Sequence, residues 1–253
     1  MPQDRILEVE AGDGVHWLTL NRPERLNAIN QPMAEGLLAY FEARRRDTET
    51  RVIVVAGAGR AFCSGADLKA AGQPDRLRDG PNGDWVLRDV MKAMRACPQP
   101  IVCLVQGPAA GGGLAIALAC DIIVAGESAA FHPAFIKIGL SATELGVSWR
   151  LQRTIGLSKA REMLLTGRPM NAAEALRTGL VSQVVANADL RATAASLVAD
   201  MLKAAPDALR ISKRSFDASL ENPSFEQAME AEERGQVQMI RQAARLARSE
   251  TPR

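Results

Sequence analysis

The stretch PIVCLVQGPAAGGGLAIALACDIIVA (Pro100–Ala125) contains a complete strand–turn–helix–strand unit. The β-branched run PIVCLV is typical of a strand, and Gly107 and Pro108 predict a turn. GLAIALAC consists of good helix formers, and DIIVA is the second strand. Because Gly111–Gly113 precede the helix directly, its first backbone N–H groups have no partner within it. Such a helix N-terminus favours an anion or a polarised oxygen.

A second turn of the same kind lies upstream in RAFCSGADLK (Arg60–Lys69). It follows the strand-like run RVIVVAG (Arg51–Gly57) and precedes a predicted helix start at Asp67. The small residues Ser64–Ala66 allow the backbone to approach another group closely. Because two N–H donors that converge on one oxygen form an oxyanion hole, the two turns together predict such a site.

The glycines of these turns are also compatible with two different roles. They can simply permit tight packing of a helix on a strand, or they can hold a phosphate group. A dinucleotide fingerprint needs G-x-G-x-x-G, but AGAGRAF (Ala56–Phe62) has Phe62 in place of the third glycine, and no GKS or GKT is present. Phosphate binding is therefore the weaker interpretation.

The alternation of strands and helices extends over the N-terminal part of the chain, to about Ser158. Further strands are predicted at ILEVE and VHWLTL, and further helices at MAEGLLAYFEARRR and DWVLRDVMKAMRA. After Ser158 helical patterns dominate, with apolar stripes in Leu190–Leu202 and Phe225–Ala247. The sequence thus predicts an α/β fold followed by a helical region.

Composition narrows the classes of function. The 253 residues carry 31 basic and 29 acidic side chains, so neither nucleic acid nor a membrane surface is an expected partner. The longest apolar region, Ile101–Gly126, is interrupted by polar residues, glycines and a proline, which argues against a membrane span. The four cysteines lack CxxC spacing, so neither a metal site nor a disulfide framework is expected. Free thiols and an N-terminus without a signal pattern predict a cytoplasmic protein.

Five motifs occur in a fixed order along the chain: LNRPERLNAIN, RAFCSGADLK, VQGPAAGGGLAIALACDIIVA, AAFHPAFIKIGL and LLTGRPMNAAEALRTGLVSQVV. Together they resemble the enoyl-CoA hydratase/isomerase (crotonase) family. The resemblance implies a crotonase-type spiral of ββα units over residues 1–195 and a helical oligomerisation region over 196–253. It also implies an acyl-CoA substrate and assembly as a homotrimer or a dimer of trimers. No separate cofactor is expected, since coenzyme A enters as part of the substrate.

The resemblance also assigns a site. The family's oxyanion hole falls on the backbone N–H groups of Ser64 and Gly112, which would bind the thioester carbonyl as it becomes an enolate. The residues expected to contact the CoA thioester are Arg22, Arg25, Ala61, Ser64, Gly65, Ala66, Asp67, Leu68, Gly112 and Phe135. Within this set, the two arginines match the region that contacts the phosphates, and Asp67 is best interpreted as a helix cap.

Ser64 is not expected to act as a nucleophile. A serine hydrolase needs a general base, and the chain has only His16 and His132, neither of which the sequence pairs with Ser64. A peptidase of the related fold is disfavoured for the same reason.

The acid–base residues depart from the hydratase pattern. Typical hydratases of the family carry two glutamates, and the matching positions here are Ala115 and Phe135, neither of which can transfer a proton. The run AFIKIGLSATELGVSW more closely resembles the isomerases of the family, whose single acidic residue corresponds to Glu144. One carboxylate can move a proton between two carbons while an oxyanion hole holds the dienolate. The alternative is that Glu144 is a surface residue that caps the following helix.

The expected function is double-bond isomerisation or hydration of an enoyl-CoA in fatty-acid metabolism, with Ser64, Gly112 and Glu144 as catalytic residues. The alternative is a non-catalytic acyl-CoA-binding protein of the same fold. Ala115 and Phe135 favour this alternative, and Glu144 favours the enzyme.

Overall fold

The computed structural model describes residues 6–67, 86–221 and 224–249. The strands of this part of the chain are β1 (Leu7–Gly12), β2 (Val15–Leu20), β3 (Val52–Gly57), β4 (Ile101–Val105), β5 (Pro108–Ala110), β6 (Ile122–Gly126), β7 (Ala130–His132), β8 (Met170–Asn171) and β9 (Gln183–Val185).

The α-helices of the same residues are α1 (Gln31–Arg44), α2 (Val86–Ala96), α3 (Gly112–Ala119), α4 (Val147–Ile155), α5 (Leu157–Thr166), α6 (Ala172–Thr178), α7 (Leu190–Leu202), α8 (Pro206–Ser219) and α9 (Phe225–Ser249). Short 3-10 helices cover Pro23–Arg25, Ala134–Ile138 and Asn187–Asp189.

The strands form a six-stranded sheet in the order β1-β2-β3-β4-β6-β9 and a three-stranded sheet in the order β5-β7-β8. Among the strands that the structure describes, only the β1–β2 pair of the larger sheet is antiparallel. Because β3 and β4 are parallel neighbours, the turns that follow them leave the sheet at the same edge. This arrangement brings the two glycine-containing turns together.

The fold class predicted from the sequence, α/β with a helical C-terminal part, is confirmed. The strands and helices predicted from periodicity are also present, with ends shifted by a few residues. The three-stranded sheet was not predicted, because strands of two or three residues are too short to show a period.

The larger sheet is covered by apolar side chains on both faces. On one face, α1, α2 and α3 contribute to the main core cluster, and on the other face α7 packs against β3, β4 and β6. Leu190, Ala194 and Val198 of α7 are buried in this second cluster. The predicted boundary between residues 195 and 196 therefore falls inside a helix that belongs to the core, because its apolar stripe covers the sheet.

The described helices include none that is both long enough and apolar enough to cross a membrane.

Candidate active site

The two turns pack against each other through their glycines. Cys63 pairs with β5 through a parallel bridge to Ala109, and the Ala110 N–H donates to the Cys63 carbonyl at 2.9 Å. Gly65 has φ +91°, and a Cβ on it would lie 2.8 Å from the Ala110 oxygen and 3.3 Å from the Gly112 nitrogen. Only glycine fits this position, because it tolerates the positive φ and leaves room for the neighbouring turn.

Several backbone N–H groups at this junction lack a hydrogen-bond partner among residues 6–67, 86–221 and 224–249. They include those of Gly112, the first residue of α3, and of Ala66. Ala66 forms a parallel bridge with Ile29, in which the flanking residues supply the hydrogen bonds, so its own N–H points away from Ile29. Two free donors on adjacent turns can bind one oxygen that carries negative charge.

The expectation for the Ser64 N–H is wrong. This group donates to the Leu26 carbonyl at 3.0 Å and is therefore already satisfied. Gly65, between the two residues, has φ +91°, so the segment does not keep the alternation of an extended strand, and the Ala66 N–H, two residues further on, remains free. Ala66 belongs to the predicted contact set, but its role as a donor was not predicted.

The side chain of Asn27 holds the turn at Arg60–Asp67 through hydrogen bonds. Its side chain is fully buried, and its Nδ2 donates to the carbonyls of Ala58, Ala61 and Phe62 at 2.8–3.0 Å. Its Oδ1 accepts the Arg22 N–H at 2.8 Å. Asn27 has φ +54°, a conformation that asparagine adopts more readily than most residues. One amide thus ties the segment that precedes α1 to the turn that carries Ala66.

We expect Asn27→Gly to lower the free energy of unfolding by about 1–3 kcal/mol, because the buried carbonyls lose their donor. Glycine accepts the positive φ, so it isolates the side-chain effect. Asn27→Ala should lose about a further 1 kcal/mol through left-handed strain. Urea unfolding measures both values, and a glycine variant as stable as the parent would refute this role.

The Ser64 hydroxyl lies near the backbone rather than near a base. Its Oγ is 3.4 Å from the Arg25 carbonyl, and no hydrogen bond joins it to either histidine within the part of the chain that is described. His16 contacts Tyr40 and Thr50 instead. Burial lowers the pKa of His132, and the positive charge of Lys137 contributes a smaller effect in the same direction. The described residues therefore place no histidine in hydrogen-bond contact with Ser64.

Ser64→Ala is therefore expected to change kcat less than about threefold, because the backbone N–H is retained and the lost hydroxyl bond is long. A steady-state assay with an enoyl-CoA measures this. Complete loss of activity in a folded variant would instead identify Ser64 as a nucleophile.

The other predicted contact residues differ in their surroundings. The guanidinium group of Arg22 forms a salt bridge with the buried Asp67 at 3.0 Å and also donates to the Ala28 carbonyl. Arg25 is exposed. Ala61 is buried, and its carbonyl accepts from both Asn27 and Gln106, so it supports the turn.

Several of these assignments remain predictions. Leu68 lies outside the described residues, and so does the helix that Asp67 was expected to cap. The phosphate contacts of Arg22 and Arg25 also remain predictions.

Glu144 lies in the loop before α4 and is half-buried. The alternative in which its side chain caps α4 is contradicted, because the N-cap is Gly146 and no side chain caps the helix. Glu144 contributes only its carbonyl, which accepts the Val147 N–H at 2.9 Å. Within the described residues its carboxylate forms no hydrogen bond or salt bridge, so it is available to a ligand. Leu145, which follows it, has φ +53°, a strained conformation of the kind found at functional loops.

Ala115 and Phe135 occupy the positions of the hydratase glutamates. Phe135 is buried, and its Cε1 would lie 3.9 Å from a Cβ on Gly111, so the ring lies beside the start of α3. Ala115 lines a cavity of about 280 Å³, and Leu145 and Gly146 from the Glu144 loop line the same cavity. The small side chain of Ala115 and the loop that carries Glu144 therefore line the same cavity.

The sequence signals for the supporting residues were weak. An asparagine in RLNAIN is compatible with a turn of any kind, so its three carbonyl contacts emerge only from the fold. The structure describes no group of three or more His, Cys, Asp or Glu side chains that could hold a metal ion among the residues it covers.

Comparisons with known proteins agree with this geometry. The family model described as enoyl-CoA hydratase/isomerase matches residues 10–249. A probable enoyl-CoA hydratase of Mycobacterium bovis is 41% identical over 226 residues, which cover 87% of this chain and 79% of that protein.

Two solved structures are similar over most of their length. A probable enoyl-CoA hydratase/isomerase from Mycobacterium abscessus has a TM-score of 0.84 and 35% identity, covering 92% of this chain and 89% of its own. A monofunctional enoyl-CoA isomerase from M. smegmatis has a TM-score of 0.76 and 38% identity, covering 89% of this chain and 98% of its own.

Proposed function

The chain belongs to the enoyl-CoA hydratase/isomerase family, and we propose that it moves the double bond of an enoyl-CoA thioester. The observation that carries the proposal is Glu144, a half-buried carboxylate without a partner among the described residues, on a loop that shares a cavity with Ala115. The similarity to a monofunctional enoyl-CoA isomerase adds support. Fatty-acid metabolism is the proposed setting.

In the proposed reaction, the N–H groups of Gly112 and Ala66 bind the thioester oxygen. Glu144 removes a proton from C2 of a 3-enoyl-CoA, the electrons of that C–H bond form the C1=C2 double bond of a dienolate, and the carbonyl π electrons move onto the thioester oxygen. The protonated Glu144 then returns the proton to C4. The C3–C4 π electrons form the new bond to hydrogen, the C2–C3 double bond forms, and the carbonyl is restored.

Hydration is less well supported by the same residues. It requires a group that activates water and a group that protonates the carbon chain, and neither Ala115 nor Phe135 can do either. A single carboxylate is sufficient for the isomerisation, because the same group first accepts the proton and then donates it.

The experiment that tests the proposal uses the purified protein with 2-enoyl- and 3-enoyl-CoA thioesters. Double-bond position is followed by absorbance, and addition of water by mass spectrometry. Interconversion of the two enoyl isomers supports isomerisation, and a hydrated product would assign hydration instead. Tight binding without conversion of either thioester would support the non-catalytic alternative.

The proposal includes assembly as a homotrimer or a dimer of trimers. α8 and α9 expose large apolar side chains, with Phe216, Phe225 and Ile240 between 66% and 73% accessible. Apolar side chains concentrated on two packed helices are typical of a surface that another subunit covers.

We expect light scattering to give three or six times the chain mass. Phe225→Asp combined with Ile240→Asp should reduce this to one chain mass, because a charge cannot be buried without a partner. The matched control, Gln227→Asp with Gln236→Asp, changes exposed polar positions of the same helix and should leave the assembly intact. A monomeric parent protein at micromolar concentration would refute the assembly.

A cytoplasmic location is the last part of the proposal. Its support is that all four cysteines are buried free thiols, which is the usual state of cysteines in a reducing compartment.

A further inference from the structure

The cavity beside Ala115 has an apolar wall and a charged end. Ala115 lies three residues after Gly112 on α3, about 4.5 Å along the helix axis. The apolar wall includes Met91, Leu118 and Leu145. The charged end includes Arg95 and Arg150 together with the carboxylates of Asp121, Asp217 and Glu221. A cavity of about 280 Å³ is far larger than the roughly 10–15 Å³ that a single water needs.

Arg95 stacks on an aromatic ring at this end of the cavity, but its ion pairs are long. Its guanidinium carbon lies 4.3 Å from the centre of the Trp149 ring, which fixes its plane. Its Nη2 is 3.6 Å from Asp217 Oδ1 and 3.6 Å from Glu221 Oε1. Charge-assisted hydrogen bonds are usually about 2.7–2.9 Å long, so these two carboxylates leave donors of Arg95 available.

Arg150 has fewer interactions with neighbouring side chains than Arg95. It is half-buried, and its side chain forms no salt bridge or hydrogen bond to any residue within 6–67, 86–221 and 224–249. A guanidinium group carries five N–H donors, and leaving them unpaired in a partly buried site is costly.

The described carboxylates near Arg150 do not form salt bridges with it. Asp121 is already bound by Lys213 Nζ at 2.8 Å and by the Ile101 N–H at 2.7 Å. Burial, the largest effect, raises the pKa of Asp217, and the charge of Arg95 acts in the opposite direction. Arg150 is therefore the cation at this end of the cavity that has no salt bridge among the described residues, since these carboxylates face Arg95 and Lys213.

We propose that this cavity binds the far end of the acyl chain and that the substrates carry a terminal carboxylate, which Arg150 and Arg95 bind. The inference rests on the proposed function for the position of the thioester. A carboxylate matches the two-pronged geometry of a guanidinium, whereas a terminal methyl group would leave Arg150 facing an apolar atom. The small side chain of Ala115 keeps the path open where a glutamate would fill it.

The binding test uses two unreactive six-carbon ligands, hexanoyl-CoA and the mono-CoA thioester of hexanedioic acid. Calorimetry with the full-length protein is expected to show about 10- to 100-fold tighter binding of the dicarboxylic ligand, the usual effect of a hydrogen bond to a charged group. The kinetic counterpart compares kcat/KM for hex-3-enoyl-CoA and the mono-CoA thioester of hex-3-enedioic acid.

Arg150→Met tests the residue itself. It should lower the dicarboxylic-to-monocarboxylic affinity ratio at least about tenfold, because the methyl group cannot bind the carboxylate. Arg153→Met is the matched control. Arg153 also stacks on Trp149, at 4.2 Å, but does not line the cavity, so this variant should keep the parent ratio.

Equal affinity for the two ligands would overturn the inference, and so would a ratio that Arg150→Met leaves unchanged. These outcomes are separate from a failure of the proposed function. Conversion of neither enoyl thioester would refute isomerisation, while the affinity ratio of the unreactive ligands would still decide whether the cavity binds a carboxylate.

Discussion

Gly112→Pro is expected to lower kcat about a hundred- to a thousand-fold relative to Gly112→Ala. Proline removes the N–H that we propose as an oxyanion donor, and the loss of one such donor is typically worth about 3 kcal/mol. Helix α3 itself should survive, because its first residue has no intrahelical partner for this N–H and proline is favoured there. Steady-state kinetics with an enoyl-CoA isomer measures the effect.

The alanine variant is a necessary control because the site is crowded. A Cβ at position 112 would lie 2.9 Å from Leu87 Cδ2 and 3.2 Å from Ile29 Cδ1. Both variants introduce this contact, but only alanine keeps the donor. Gly111 has φ +51° and ψ −116°, which a following proline disfavours, so circular dichroism and thermal melts must accompany the kinetics. Equal kcat in two folded variants would leave the turn with only a packing role.

Glu144→Gln should reduce isomerisation by about a hundred- to ten-thousand-fold while acyl-CoA affinity changes little. Glutamine keeps the size of the side chain and can still donate a hydrogen bond, but it cannot accept and return the proton. The loop should be preserved, since its contact with α4 is made by the Glu144 carbonyl rather than the carboxylate. Turnover of a 3-enoyl-CoA and calorimetric binding of an unreactive acyl-CoA measure the two quantities.

Glu127→Gln is the matched control for this change. Glu127 is exposed in the turn between β6 and β7, and it does not line the cavity. Its replacement removes the same charge and should leave turnover at the parent value. If Glu144→Gln retained full turnover, another group would have to transfer the proton, and the isomerase mechanism proposed for Glu144 would be refuted.

The sequence predicted the fold because its signals are local. The β-branched run at Ile101–Val105 and the helix formers at Gly112–Ala119 have periods that do not depend on distant residues, and both elements formed as expected. Gly65 and Gly112 also indicated a close approach of the backbone, and each occupies a position where a Cβ would contact a neighbour. The meeting of the two turns followed from the parallel order of β3 and β4.

The sequence was less informative wherever a contact joins distant parts of the chain. The N–H of Ser64 is satisfied because the Leu26 carbonyl faces it, and a shift of two residues moves the free donor to Ala66. Periodicity cannot detect this shift, because the positive φ of Gly65 interrupts the alternation of an extended segment between the two residues.

By itself, therefore, the sequence determined the α/β fold and the glycine turns, which depend on residue type and local spacing, whereas the choice of Glu144 came from the resemblance to the isomerases of the family. Only the tertiary structure decided that the N–H of Ala66 is free and that Asn27 holds the turn that carries it. It also placed Arg95 of α2 and Asp217 of α8 at the end of the same cavity. The physical reason is that hydrogen-bond satisfaction and cavity lining depend on neighbours in space, which the order of residues along the chain does not specify.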